Sequence, residues 1–271
     1  MKPAPFEYVR PQTVGEAVRL LATTPDAKIL AGGQTLGPML NLRLAQPAVL
    51  IDIGRIPELA AVTEERDAIT IGATVTHAAI EDGRISDPTT GFLAQVARGI
   101  AYRAVRTRGT IGGSLAHADP AADWLSVLTA LGAEIEIVGA RSNRRVPLAA
   151  FVRGAMDTEL AFDELLVGVR IPRFSRQAQF GFHKICRKTG EFAEAMGVVV
   201  DDPERAFFSL VAGATGGRPL VIGMAAESGQ KRLTIAQARR LLELNGFNGD
   251  SYELQLHAVA LKCACEKAYA A

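Results

Sequence analysis

The chain has 271 residues, 48% of them hydrophobic and 22% charged, with a formal net charge of +1. That length suits two domains around a sizeable core, and the balanced charge gives no electrostatic footprint for a nucleic acid or an anionic membrane. The three cysteines, Cys186, Cys263 and Cys265, form no Cys-x-x-Cys pair, which argues against a zinc or iron–sulfur site and fits a reducing cytoplasm.

The opening residues lack an apolar signal region, and no apolar run is long enough for a bilayer, so neither a secretory signal nor a membrane span is expected. Thr13-Val-Gly-Glu16 is a capping box that starts a helix through Val14, Ala17, Val18 and Leu21. A short strand at 28–30 runs into Ala31-Gly-Gly-Gln-Thr35. Pro38 then suits the first turn of a helix with Leu36, Leu40 and Leu44 on one side. Strands are predicted at 48–53 and 68–72, and helices at 74–82 and 91–101. Next comes a second glycine segment, Thr110-Ile-Gly-Gly-Ser114, read as a tight turn. Asp119-Pro120 reads as the N-cap and first residue of a helix that packs Trp124, Val127, Leu128 and Leu131 on a core.

Strict alternation at 133–138 predicts a strand with one wet face, with 144–147 as its hairpin partner. A strand at 165–172 ends at Pro172, and 173–178 reads as a linker. Four strands follow at 180–186, 196–200, 206–212 and 218–222. Helices at 235–244 and 252–269 close the chain, the second with Leu254, Ala258, Leu261 and Cys265 along one side. This order is α+β.

Taken alone, either glycine pair is a tight turn before a helix. As a pair in one domain they suggest two backbone segments that together hold a dinucleotide diphosphate. Neither has the Gly-x-Gly-x-x-Gly spacing of a Rossmann site. No Gly-x-Ser-x-Gly, no His-Glu-x-x-His and no convincing carboxylate pair is present, which leaves the chemistry to an organic cofactor. His77 reads as partly exposed or structural and His257 as structural; His117 reads either as a cofactor contact or as a loop histidine bonding backbone, and His183 as facing away from Lys184. Arg103, Arg106 and Arg108 read either as a solvated edge or as a contact with a partner chain or a cofactor phosphate.

Four stretches carry a family resemblance: Ala31-Gly-Gly-Gln-Thr-Leu36 with Pro38-Met39 and Arg43-Leu44; Leu50-Ile-Asp-Ile53 with Ile56; Arg106-Thr-Arg-Gly-Thr-Ile-Gly-Gly-Ser114 running into Ala118-Asp-Pro-Ala-Ala-Asp123; and Lys184 with Arg187-Lys-Thr-Gly-Glu-Phe-Ala193. In order and spacing they resemble the FAD-binding medium (flavoprotein) subunit of the molybdenum hydroxylases, the family of xanthine dehydrogenase and carbon monoxide dehydrogenase. The resemblance implies an FAD-binding fold of the vanillyl-alcohol oxidase and p-cresol methylhydroxylase type over 1–172, with subdomains at about 1–56 and 57–172. A small α+β C-terminal domain over 178–271 would follow. It implies that FAD is held by Ala31, Gly32, Gly33, Gln34 and Thr35 with Thr110, Gly112, Gly113 and Ser114. Ile29, Leu30, Leu36, Ile100, Ala101 and Leu166 would supply apolar flanks, Asp123 a contact to cofactor hydroxyls, and Lys184 a cation near the flavin.

The implied function is electron transfer from [2Fe-2S] clusters of a small partner chain, through FAD, to an external acceptor. Substrate chemistry would occur at molybdopterin on a large partner chain, in a cytoplasmic dimer of heterotrimers. Alternatives are a stand-alone flavin-dependent reductase on the same fold, or an assembly module that has lost FAD. The sequence departs from the family pattern at Thr35, Thr107 and Glu191, and reads as having trimmed connections at Pro203–Phe207 and Gly223–Gln230.

Overall fold

A computed structural model describes residues 2–223 and 232–270. The connection expected at Gly223–Gln230 lies outside the described residues apart from Gly223. Three larger sheets follow one another along the chain, beside a two-stranded one of Val152–Gly154 and Asp157–Thr158. The first is a parallel sheet in which Val49–Asp52 lies between Glu7–Val9 and Ala27–Leu30. The second is antiparallel, in the order Val62–Glu64, Ala68–Gly72, Glu164–Pro172, Glu134–Gly139, Asn143–Pro147. The third is a meander of Gln179–Ile185, Ala195–Asp202, Phe207–Gly213 and Leu220–Gly223.

Side-chain alternation joins these layers. In the second sheet Ile69, Ile71, Ile135, Ile137, Val169 and Ile171 face a large core shared with the helices Phe92–Arg98, Ile111–His117 and Asp123–Ala130. Leu165, Val138 and Val167 face the other way, onto a smaller core with the first sheet and the helix Val14–Thr23. The same device works in the third sheet. Val198 and Val200 enter the large core, while Val199 faces the two C-terminal helices. The helix Ser251–Ala268 approaches that sheet so closely that a Cβ on Gly197 would stand 2.4 Å from the Ala260 carbonyl oxygen. Leu254, Ala258, Leu261 and Cys265 lie buried beneath it, as their spacing predicts.

Three local expectations are corrected. Residues 111–117 are helical, with Thr110 as N-cap accepting the Gly113 N–H; Gly112 and Gly113 are its first turn and not a reverse turn. Gly112 is there because a Cβ would strike the Ala73 backbone at 2.7 Å, so tertiary packing overrides glycine's poor helix propensity. The next helix begins at Asp123, with Ala122 as N-cap; Asp119 instead caps the preceding turn by accepting the Ala121 N–H. The helix Leu36–Asn41 is too short to include Leu44, which is 71% exposed. No helix among the described residues is long and apolar enough to cross a membrane.

Candidate functional site

The strand Ala27–Leu30 ends against the Val49–Asp52 strand and releases the chain into residues 31–35. Among the described residues, no backbone N–H from Gly32 to Leu36 donates to a protein acceptor. Gly33 has a φ of +70°, which L side chains adopt only under strain. Gly32 has no room for a side chain, since a Cβ would stand 2.1 Å from the Arg108 carbonyl oxygen and 2.9 Å from Gly109 Cα. A Cβ on Gly113 would lie 3.8 Å from Ala31 Cβ. The two glycine segments are therefore in backbone contact.

Their donor capacities differ, which sequence alone did not reveal. The first segment presents a run of free N–H groups. In the second, Ile111 donates to Val75 O, Gly112 to Ala73 O, and Gly113 to Thr110 Oγ1. Those bonds tie the segment to the second sheet and leave it a scaffold more than a donor array.

Both segments border a cleft of about 620 Å³ that continues past Ile29, Leu36, Ile100, Ala101 and Leu166 to Asp123. Every sequence-predicted residue lines this cleft except Leu30 and Lys184. Leu30 lies directly behind the first segment, its Cδ1 at 3.2 Å from where a Gly33 Cβ would be. Lys184 reaches Asp123 with Nζ 3.0 and 3.1 Å from the carboxylate oxygens, and also donates to Gly99 O. Both side chains are buried. Burial pushes the Asp123 carboxyl above its usual range, and Lys184 opposes that shift.

Arg106 positions the Ile100–Ala101 wall. Its guanidinium donates to both carbonyl oxygens at 2.9 Å while pairing with Glu81. Ala101 takes a φ of +43°, and its backbone lies against Gly190. Arg103 is held by Glu81 and Asp82. Two members of the arginine cluster are thus committed to the scaffold, and neither lines the cleft.

Sequence reasoning missed other lining residues. His77 lines the cleft, although its place at a helix start reads as partly exposed or structural. It is 6% exposed, its Nδ1 accepts the Trp124 Nε1–H at 3.0 Å, and burial lowers its pKa to about 4 with help from Arg106. Phe162 and Phe192 also line the cleft and are 83% and 66% exposed, the profile of aromatic rings at a mouth. Their signal in the sequence was an aromatic residue in a short polar loop. His117 lines the cleft as well, while His257 bonds Glu253 O and Gly213 O and is structural.

These features fit a dinucleotide cofactor. The unused N–H run suits a diphosphate, the glycines allow close approach, and the apolar walls suit ring systems.

The comparisons agree. Residues 4–174 match the family model described as the FAD binding domain in molybdopterin dehydrogenase. The carbon monoxide dehydrogenase medium chain of Hydrogenophaga pseudoflava is 42% identical over 205 residues, 74% of this chain and 70% of that one. The caffeine dehydrogenase subunit beta of a Pseudomonas species is 38% identical over 202 residues, 74% of this chain and 68% of that one. The structure also matches a chain of carbon monoxide dehydrogenase from Hydrogenophaga pseudoflava, solved lacking the Mo-pyranopterin moiety of its molybdenum cofactor. The TM-score is 0.89 at 33% identity, covering 100% of this chain and 99% of that one. The structural likeness thus continues through the third sheet and last helices, beyond the family model's end.

Proposed function

The chain belongs to the family of FAD-binding subunits of molybdopterin dehydrogenases, and from that premise we propose that it is the electron-transfer flavoprotein subunit of a multi-subunit molybdenum hydroxylase. The observation that carries this reading is the free N–H run of 32–36, held in backbone contact with the second glycine segment at one end of the cleft. In this proposal the first segment donates to the FAD diphosphate, and Thr110 to Ser114 close the site from the other side. Ile29, Leu30, Leu36, Ile100, Ala101 and Leu166 exclude water from the rings. Asp123 accepts from cofactor hydroxyls, while Lys184 keeps that carboxylate in place at the cleft wall. When bound, FAD supplies redox chemistry between [2Fe-2S] clusters on a small partner chain and an external acceptor. A large partner chain would hold molybdopterin and the substrate, in a cytoplasmic dimer of heterotrimers.

The test is affinity purification of the tagged chain from its own cells, followed by metal and flavin analysis. Molybdenum, iron and FAD eluting together with two further chains is the expected result. A chain that elutes alone and oxidises a nicotinamide donor unaided contradicts it, and supports a stand-alone reductase.

A further inference from the structure

The His77 imidazole stands where the two glycine segments meet. Its backbone N–H donates to Gly109 O at 2.9 Å, and a Cβ on Gly109 would lie 2.9 Å from both Cδ2 and Nε2 of the ring. Gly109 Cα is the same atom that crowds Gly32 from the other side. Trp124 fixes the ring's tautomer. An indole N–H only donates, so the Nδ1 that accepts it must carry a lone pair, and the neutral ring then bears its proton on Nε2. Among the described residues, Nε2–H meets no protein acceptor, and it is not among the sealed, unpartnered polar atoms. His77 lines the cleft, and with Nδ1 taken by Trp124, Nε2 is the polar ring atom left to serve it.

We propose that His77 is a binding residue for the cofactor, donating its Nε2–H to a diphosphate oxygen of FAD at the junction of the two glycine segments. The proposal rests on the assignment of this cleft to FAD. It adds an N–H donor where the second segment has few: the N–H groups of Ile111, Gly112 and Gly113 are committed within the protein, which leaves that side of the anion the Thr110 and Ser114 hydroxyls. His77 is that donor, brought to the segment by the Gly109 contact and oriented by Trp124. Its burial keeps the ring neutral, so it acts as a fixed dipole whose proton stays in place when the anion arrives.

Two substitutions separate this role from packing. His77→Asn retains an acceptor for Trp124 and loses the distal donor. His77→Gln restores an N–H near the Nε2 position. The full chain, stripped of flavin, is titrated with FAD, and each complex is examined by phosphorus NMR. Expected results are FAD binding roughly tenfold to a hundredfold weaker in His77→Asn, a moved phosphorus resonance, and partial recovery of both in His77→Gln. Equal weakening in both variants, with both phosphorus resonances unmoved, assigns His77 to packing and overturns the proposal, as does wild-type affinity in His77→Asn.

Should neither variant fold, the unmutated chain decides. Its His77 Nε2–H proton resonance moves downfield when FAD is added, and an unmoved resonance overturns the proposal. No FAD uptake by the unmutated chain overturns the cleft assignment beneath it, a result distinct from uptake that His77→Asn leaves unweakened.

Discussion

Lys184 and Asp123 meet across 61 positions of sequence, and both are almost entirely out of water. Breaking such a pair costs more than the pair contributes, because one charge is left behind in a low-dielectric setting. Lys184→Met should destabilise the chain by about 3 kcal/mol, and Asp123→Asn in the same chain should restore much of that. A double-mutant cycle by urea denaturation checks it; additive losses would deny the coupling. Exposed pairs such as Lys262–Glu266 should contribute under about 1 kcal/mol.

His77 makes a pH prediction. Burial lowers its folded pKa to about 4, below an unfolded value near 6.5, so on acidification the unfolded chain takes up the proton first. The stability this residue contributes is full above about pH 6.5 and declines towards pH 4, by about 3 kcal/mol in all. Denaturation of wild type and His77→Asn across that range isolates the effect; parallel curves would contradict it. Neither residue's environment was legible in the sequence. The Asp123 and Lys184 positions came from family resemblance, but their mutual pairing did not. His77 was hidden because Trp124, which orients it, lies 47 positions away.

At the scale of elements, both glycine segments were legible as places where backbone comes close to something. What they approach was not. Gly112 faces the Ala73 backbone inside the protein, whereas Gly32 faces the opposite segment at the cleft. Their substitutions should therefore fail differently. Gly112→Ala should lower stability by about 1–3 kcal/mol through overpacking, with FAD binding lost only as folding is lost. Gly32→Ala should push the segments apart and weaken FAD binding at least tenfold, while shifting the urea midpoint less. Equal stability losses in the two variants would mean that Gly32 too is a packing position.

The regular elements followed their patterns well wherever period and caps agreed, as at Val14–Thr23 and Ile235–Leu244. They were misread where a polar signal had another use. Asp119 looked like an N-cap because Pro120 follows it, but its carboxylate serves a turn four residues ahead of the helix. Short elements such as Arg103–Arg106 escaped detection because one turn carries no periodicity.

Across the whole molecule, the cleft draws on all three larger sheets. Its walls come from the end of Ala27–Leu30, from the segments around Ile100 and Thr110, from Leu166 on the central strand, and from Gly190 to Phe192 between strands of the third sheet. Continuous packing of Val198, Val200 and Val211 into the large core fixes the third sheet against the rest, and so fixes Lys184 against Asp123. The expected division of the chain near 172–178 corresponds to a change of sheet, but the large core runs across it. Composition could not anticipate that, because a residue's destination depends on which face of a strand it occupies.

Equilibrium titration of the flavin-stripped chain with FAD, followed by quenching of flavin fluorescence, tests the cofactor assignment most directly. Wild type should saturate at one FAD per chain, and Gly32→Val should show no saturation. Absence of saturable binding to wild type, or a Gly32→Val titration that overlays it, would remove FAD from this cleft.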